Sequence, residues 1–310
     1  MSRPAQLPNT KQKWRLNCRF RLGTTMMRSM IKRLTALAPV SVLSLFGTSG
    51  YAFAAGRSEP WQMWFQTPAS PVMERIAEFH NLIFVFEVSI VVFVLGIMCY
   101  IIIRFNAKAN PEPSTTTHNT LLEVVWTGLP LLILIVIAVP SLRLLYYADR
   151  FEDAEMTLKI TGNQWFWTYA YPDHGGFEFD SILIPDDELK KGQPRLLSVD
   201  NPVVLPANTN IRLLFTSVDV IHNWAIPALG LKLDAVAGRI NESWVRINSE
   251  GDFYGMCSEL CGINHAFMPV HIKAVSKADF QAWVEKAQKE FAGTDSDAPV
   301  RVAKAGSETR

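Results

Sequence analysis

The chain has 310 residues, of which 49% are hydrophobic, and its formal net charge is +1. This length allows a buried core, and the nearly balanced charge gives no indication of a nucleic-acid partner. The hydrophobic residues are concentrated in a few segments, which predicts separate membrane and soluble parts.

The N-terminal segment is basic and then apolar. No acidic residue precedes Glu59, and an apolar stretch that starts at Leu34 ends at Ala52-Phe53-Ala54. This order is typical of a secretory signal peptide cleaved near Ala54. We therefore interpret residues 1–54 as a leader that is not part of the fold; the alternatives are an uncleaved membrane helix and a mitochondrial transit peptide. The basic residues of the leader are Arg3, Lys11, Lys13, Arg15, Arg19, Arg21, Arg28, Lys32 and Arg33.

Two long apolar segments predict a transmembrane helical hairpin within residues 55–148. The segments 82–103 and 124–147 are each long enough to cross a bilayer at about 1.5 Å per residue. The loop between them begins with the basic residues Arg104 and Lys108, which favours a cytoplasmic position for this loop. The chain after the hairpin is then expected on the outer side of the membrane.

Two residues within the apolar segments are unusual for a membrane helix. Glu87 is costly in a bilayer unless another protein covers it or its carboxylate reaches the interface, and both interpretations stay open. Pro140 is expected to kink or end the second helix, because proline has no backbone N–H to donate.

The soluble part is predicted to cover residues 149–292. Between Met156 and Val275, short β-rich stretches alternate with Pro, Gly, Asn and Asp turns, which predicts an antiparallel sandwich or barrel. Ser276 is expected to cap a final helix, with Asp279 three residues later. The polar, small residues of 293–310 predict a disordered tail.

A short segment near the end of the β-rich part concentrates metal-binding side chains. Cys257, Cys261, His265 and Met268 occur within twelve residues, and His222 comes from a separate strand. Thiolate, imidazole and a weak thioether are the ligands of copper electron-transfer sites. A tetrahedral zinc site of the two cysteines and two histidines, or a structural disulfide, would use the same residues.

The second cysteine extends the copper interpretation to two metals. If both sulfurs bridge two coppers, each metal receives one histidine and one weak ligand. Met268 would be the weak ligand of one copper, and a backbone carbonyl such as that of Glu259 would be the weak ligand of the other.

The segment from Cys257 to Pro269, CSELCGINHAFMP, resembles the signature of subunit II of the haem-copper cytochrome c oxidases. The resemblance extends to GNQWFWTYAYPD from Gly162, FDSILIP from Phe179, VDNPVVLP from Val199, SVDVIHNWAIPALGLKLDAVAGR from Ser217 and EVVWTGLPLLIL from Glu123. It implies two transmembrane helices followed by a cupredoxin-like β-sandwich on the periplasmic side of a bacterial inner membrane.

The resemblance also implies a set of site residues. It implies magnesium, shared with subunit I, at the Glu259 side chain, electron uptake from cytochrome c at Trp165, and proton uptake at Glu123. The implied partners are subunits I and III and cytochrome c, for oxygen reduction coupled to proton pumping. The implied copper A ligands are His222, Cys257, Glu259 through its carbonyl, Cys261, His265 and Met268, and the implied docking residues for cytochrome c are Asp180, Asp200 and Asp219.

Two residues depart from the family pattern, and two other functions compete with that of an oxidase subunit. Asn163 stands where the family often has histidine, and Glu87 lies in the first apolar segment, but neither is an implied copper ligand. The chain has no Cys-x-x-Cys-His motif for haem attachment, so the electron donor is expected to be a separate protein. A membrane-tethered copper carrier would not need the aromatic block, and a quinol-oxidase subunit would lack the copper ligands.

Overall fold

In this computed structural model, the structure describes residues 56–149 and 153–291. The leader predicted over residues 1–54 and the disordered tail predicted over 293–310 therefore lie outside the described residues, and both stay predictions.

Two long helices precede the β-rich part. α1 spans Pro71–Arg104 and α2 spans Thr120–Asp149, so each begins before the predicted apolar segment and ends after it. At the start of α1, the Ser70 hydroxyl accepts a hydrogen bond from the Met73 backbone N–H at 3.0 Å, which caps the helix. Both helices are long and apolar enough to cross a membrane. This confirms the two-helix prediction.

α2 does not end at Pro140. Both Pro130 and Pro140 lie inside the helix, which continues to Asp149. A proline inside a helix leaves one carbonyl without its backbone donor, and membrane helices tolerate this because their flanking turns adjust locally. Asn119 accepts a hydrogen bond from the Leu122 backbone N–H at 3.2 Å and so caps the helix, which places Glu123 in its first turn.

The β-rich part forms two five-stranded sheets. Their orders are β3-β2-β1-β5-β8 and β4-β10-β9-β6-β7. The strands are β1 Met156–Asn163, β2 Phe166–Ala170, β3 Glu178–Ser181, β4 Val203–Pro206, β5 Ile211–Ser217, β6 His222–Ile226, β7 Leu231–Ala235, β8 Asn241–Val245, β9 Gly251–Cys257 and β10 Pro269–Val275.

Most strand pairs are antiparallel, as the short turns predict. Two pairs are parallel, namely β1 with β5 and β4 with β10. Parallel neighbours need a long crossover connection, and in both pairs other strands intervene along the chain. A reading of local turn signals cannot detect such pairs, because each strand's partner is far away in sequence.

Alternating side chains of the strands build the core between the sheets. In β2, Trp167 and Tyr169 are fully buried, whereas Phe166 and Thr168 are only partly buried. Each fully buried large side chain contributes about 1.5 to 3 kcal/mol through removal of apolar surface from water. The final helix, α3 (Lys277–Phe291), packs Phe280 against this core.

α3 begins as the sequence predicts. The Ser276 hydroxyl accepts from the Asp279 backbone N–H at 3.1 Å, so Ser276 caps the helix.

The β domain is bonded to the helical hairpin at several points. Ser70 donates to the carbonyl of Leu229 at 2.6 Å, and Asn248 donates to the carboxylate of Glu74 at 2.8 Å. Gly230 has a φ of +68°, and a Cβ there would lie 2.9 Å from the end of the Ile76 side chain. The first turns of α1 therefore lie directly against the β domain.

Candidate metal centre

Two neighbouring strands bring the candidate ligands together. His222 is the first residue of β6 and Cys257 is the last residue of β9, and the two strands pair antiparallel. The loop from β9 to β10 carries Cys261 and His265 and ends at Met268, immediately before β10. The sheet therefore places the ligands from two strand ends and one loop at the same edge of the domain.

The two cysteines are free thiols. Their sulfurs lie 3.8 Å apart, far beyond the S–S bond of about 2.05 Å in a disulfide. The disulfide interpretation therefore does not describe this structure.

Each sulfur contacts one imidazole and one weaker donor. The sulfur of Cys257 lies 4.0 Å from Nδ1 of His222 and 3.4 Å from the backbone oxygen of Glu259. The sulfur of Cys261 lies 3.5 Å from Nδ1 of His265 and 3.5 Å from the sulfur of Met268. The structure thus brings all six predicted copper ligands to one place, in two similar halves.

The two histidines do not share one position. The ligand atoms of His222, Cys257 and Cys261 all lie within 4.8 Å of one another, and His265 falls outside this group. One tetrahedral zinc ion, with bonds of about 2.0 to 2.3 Å, would hold all four ligand atoms within about 4 Å of each other. The arrangement therefore fits two metals better than a single zinc.

The ligand cluster is mostly shielded from water. His222, Cys257, Cys261 and Met268 are buried, whereas His265 is partly exposed. Burial is the largest single effect and raises the pKa of the Cys257 thiol, but its contacts with His222, His265 and backbone groups together outweigh burial and bring the pKa to about 7. Burial and the neighbouring Cys257 raise the pKa of Cys261 to about 12. Two adjacent thiolates in a buried site are thus costly until a cation neutralises them.

A carboxylate orients the ring of His222 from the side away from the sulfurs. Nε2 of His222 lies 2.8 Å from the carboxylate of Asp219, so Nδ1 is the nitrogen directed at the cysteines. Burial lowers the pKa of His222, but the contacts with Cys257 and Asp219 more than offset this and leave it raised. Carboxylates in this position fix the tautomer of metal-binding histidines.

The sequence did not indicate two of the residues that shape this site. A Cβ at Gly162 would lie 2.8 Å from the His222 ring, so only glycine fits beside this ligand. The family resemblance implies only a docking role for Asp219, whereas the structure shows its bond to His222. The spacing of three residues between Asp219 and His222 is the sequence feature that could have indicated this bond. Gly162 is distant in sequence from His222, and no local pattern marks it.

The aromatic block divides between the core and the ligand loop. Trp167 is fully buried and contacts the His222 ring edge-on, with 5.9 Å between the ring centroids. Trp165 is partly buried, and its indole N–H donates to the backbone oxygen of Cys261 at 3.1 Å. The structure therefore places Trp165, the residue predicted for electron uptake, in direct contact with the ligand loop.

The acidic residues predicted for docking are held by hydrogen bonds. Asp180 accepts from the Thr168 hydroxyl at 2.7 Å, and Asp200 accepts from the Ile182 backbone N–H at 2.7 Å. Both carboxylates are on the surface, whereas the Asp219 side chain is only 27% exposed.

The remaining predicted residues lie apart from the cluster or on its surface. Glu123 is at the start of α2, and Asp149, where α2 ends, lies beside β7 and β8 of the β domain. At 1.5 Å per residue, the helix separates Glu123 from the β domain by roughly 40 Å. Glu259 and Glu87 are both exposed side chains.

Comparisons with known proteins assign the chain to a family. "Cytochrome C oxidase subunit II, periplasmic domain" matches residues 156–275, and "Cytochrome C oxidase subunit II, transmembrane domain" matches residues 58–144. The probable cytochrome c oxidase subunit 2 of Rickettsia bellii is 49% identical over 250 residues, which cover 81% of this chain and 93% of that protein. The chain belongs to the cytochrome c oxidase subunit II family. Cytochrome c oxidase subunit 2 of Zea mays is 47% identical over 73% of this chain and 90% of its own length.

Solved structures of this family are also similar to the chain. The periplasmic domain of subunit II of cytochrome oxidase (CoxB) of Bradyrhizobium japonicum is 52% identical, with a TM-score of 0.43, and covers 46% of this chain and 99% of that one. A subunit II domain in a mixed disulfide with a thioredoxin-like protein is 51% identical, with a TM-score of 0.41, and covers 46% of this chain and 96% of that one.

Membership of the cytochrome c oxidase subunit II family confirms the predicted fold and enzyme class. The chain has two apolar helices followed by a cupredoxin-like β domain, and it is a subunit of an oxidase complex. A copper carrier of another family is therefore excluded. The family implies a copper A centre, and the paired thiol, imidazole and weaker donors fit that group.

Proposed function

We propose that this chain takes electrons from cytochrome c at a dinuclear copper centre and passes them to subunit I, where oxygen is reduced and protons are pumped. The observation that supports this most is the pairing in the ligand cluster. Each of the two sulfurs, 3.8 Å apart, has its own imidazole and its own weaker donor. A complete ligand set also favours cytochrome c over quinol as the donor.

When bound, the dinuclear copper centre accepts and releases one electron at a time with little rearrangement. The protein's part is to keep the ligands in place and to exclude water. The sheet fixes His222 and Cys257 at adjacent strand ends, and Asp219 holds the tautomer of His222.

We assign electron uptake to Trp165 on the basis of its position. Its ring lies between the surface and the ligand loop, and its N–H contacts the carbonyl of Cys261. This contact would give an electron from a docked cytochrome c a short bonded route to a ligand residue.

We propose docking of a basic cytochrome c at Asp180, Asp200 and Asp219. Hydrogen bonds hold these carboxylates in fixed positions. Their negative charges would therefore attract a basic cytochrome c to one defined part of the surface. Such fields chiefly raise the association rate, and salt screens them over about 8 Å at physiological ionic strength.

Purification of the oxidase through a tag on this chain tests the proposed function. We expect a complex that contains a haem-bearing large subunit and oxidises reduced cytochrome c with oxygen uptake. The rate at low cytochrome c concentration should fall as the salt concentration rises. Copurification without haem, or a complex that oxidises quinol but not cytochrome c, would contradict the proposal.

Asp200→Asn is the cleaner variant for docking in this experiment, because Asp219→Asn would also weaken the bond to His222. Asp200→Asn should raise the Michaelis constant for cytochrome c and flatten its dependence on salt. Glu285→Gln removes an exposed charge on α3 and is the matched control. Equal salt dependence in both variants would remove Asp200 from the docking surface.

We further propose that the Glu259 side chain meets a magnesium ion shared with subunit I. The Glu259 carbonyl contacts Cys257, while its carboxylate is exposed beside the ligand cluster and available to a partner subunit. Carboxylate oxygen is a ligand that magnesium prefers. The test is metal analysis of the purified complex with Glu259→Gln, which should lose magnesium and keep copper.

The proposed position of the complex is the bacterial inner membrane, with the β domain on the periplasmic side and the α1–α2 loop in the cytoplasm. The predicted export leader and the basic residues Arg104 and Lys108 support this orientation. Subunit III is a further proposed partner. We propose that the exposed Glu87 is covered by one of these subunits.

Proton uptake at Glu123 is the last proposed role. Glu123 lies in the first turn of α2, roughly 40 Å from the β domain, and the proposed orientation would expose it to cytoplasmic water. If the carboxylate only complemented the helix N-terminus, it would contribute about 0.3 to 1 kcal/mol to stability and nothing to turnover. Glu123→Gln is expected to lower oxygen reduction several-fold, because a neutral amide cannot take up and pass on protons.

The measurement for Glu123→Gln is steady-state oxygen consumption by the purified complex. Copper content and the first electron transfer from cytochrome c should stay normal, since the copper centre is distant. Glu112→Gln, in the loop that precedes α2, is the control for loss of a carboxylate on this side. Turnover equal to wild type would leave Glu123 with the helix-end role alone.

A further inference from the structure

The two sources of metal ligands are joined by a third segment that carries no ligand. This segment is the turn between β1 and β2, and Gln164 lies within it. The backbone N–H of Gln164 donates to the carboxylate of Asp219 at 2.7 Å, and its side-chain amide donates to the backbone oxygen of Cys261 at 2.7 Å. One residue is thus bonded to both sides of the site.

We propose that Gln164 is a positioning residue of the metal centre, which clamps the Cys261 side of the ligand loop to the Asp219–His222 pair. The inference rests on the proposed copper centre and adds a residue that holds its two halves in register. The hydrogen bonds of Gln164 go to Asp219 and to the backbone of Cys261, so its effect is exerted through these two groups.

On the His222 side, the bond from Gln164 fixes the carboxylate that orients the ring. Asp219 accepts from the backbone N–H of Gln164 with one oxygen, at 2.7 Å, and from Nε2 of His222 with the other, at 2.8 Å. The Val220 backbone N–H adds a third short bond at 2.6 Å. The position of the His222 ring is therefore tied to the position of the turn.

On the Cys261 side, the bond from Gln164 fixes the backbone of the ligand loop. The oxygen of Cys261 accepts from both Gln164 and the Trp165 indole, at 2.7 and 3.1 Å. The next residue, Gly262, has a φ of +119°, and a Cβ there would lie 3.2 Å from the Gln164 amide nitrogen. The loop thus comes close enough to the turn to be held by it.

Packing does not explain the presence of glutamine at this position. Gln164 is exposed, so its side chain removes little apolar surface from water. An exposed side chain whose amide is nonetheless bonded at 2.7 Å acts through that bond. Its loss should therefore alter the geometry of the site more than the stability of the domain.

The test uses the copper-loaded oxidase complex with Gln164→Met, which keeps the length of the side chain and removes the donor. Gln288→Met is the matched control, because the Gln288 amide also donates to a backbone oxygen, that of His174 at 2.6 Å, beyond the other end of β2. The readouts are the electron paramagnetic resonance and near-infrared spectra of the copper centre and the rate of copper loss to a chelator.

Gln164→Met is expected to change the copper spectra and to speed copper loss by about tenfold, the lower end of the range for partners that support metal ligands. Gln288→Met should leave both readouts as in wild type. Gln164→Glu keeps the side-chain shape but cannot donate, so it should change the spectra in the same way and serves if the methionine variant does not assemble.

Wild-type spectra and copper retention in an assembled Gln164→Met or Gln164→Glu complex would overturn the inference. So would an equal change in Gln288→Met, since the effect would then be a general loss of stability. A wild-type complex that holds no copper would instead contradict the proposed function.

Discussion

Replacement of both Cys257 and Cys261 by serine is expected to reduce the copper content from two ions per chain to none. Each sulfur contacts the imidazole and the weaker donor of its own half, at 4.0 and 3.4 Å for Cys257 and at 3.5 and 3.5 Å for Cys261, and the two sulfurs, 3.8 Å apart, are where the halves meet. A serine hydroxyl is a hard, neutral donor and would not replace a soft thiolate as a ligand for copper.

Metal analysis of the full chain in its purified complex decides this prediction. The wild type should also show an unpaired electron shared over both metals. Cys99→Ser is the control, because Cys99 is an exposed free thiol on α1, away from the cluster. One tightly bound zinc in the wild type, or full copper in the double serine variant, would refute the copper assignment.

Trp165→Phe is expected to slow electron transfer from cytochrome c several-fold. Phenylalanine removes the N–H that contacts the Cys261 oxygen and shortens the aromatic surface at the proposed electron route. Copper content and spectrum should stay unchanged, because the shorter of the two bonds to this oxygen, from the Gln164 amide at 2.7 Å rather than from the indole at 3.1 Å, is kept.

Stopped-flow reduction of the copper centre by cytochrome c measures this effect directly. Trp283→Phe is the control, since Trp283 is a partly buried tryptophan on α3 that packs with Tyr171 and not with the ligand loop. If electron uptake in Trp165→Phe matches the wild type, Trp165 belongs only to the packing of the turn.

The sequence was sufficient for those features that depend on neighbouring residues. The apolar length of α1 and α2 predicts two spans, and Ser276 with Asp279 predicts the start of α3. Five of the six predicted ligands were also accessible, because they lie within the short segment from Cys257 to Met268, whereas His222 comes from a separate strand.

Features that depend on contacts between residues far apart in the chain could not be predicted from the sequence. Gln164 contacts Asp219 across 55 positions and Cys261 across 97 positions, and no local periodicity records such contacts. The parallel pairing of β1 with β5 has the same origin. The continuation of α2 past Pro140 agrees with the apolar length of the second segment, which reaches residue 147, and leaves a kink at Pro140 as the remaining expectation.

The contacts between the membrane helices and the β domain fix the position of the β domain in every molecule. The Ser70–Leu229 and Asn248–Glu74 hydrogen bonds attach the β domain to the start of α1. Tyr147 of α2 contacts Trp244 of β8 edge-on, with 5.8 Å between the ring centroids, and Arg75 of α1 lies 3.5 Å from the centroid of the same Tyr147 ring. The rate of electron transfer falls steeply as the distance between two centres grows. If the β domain moved relative to α1 and α2, the electron-transfer rate would differ between molecules and change over time. Because these contacts hold the β domain in one position on the helices, all molecules should share one electron-transfer rate. Electron transfer from the copper centre to subunit I should then follow single-exponential kinetics.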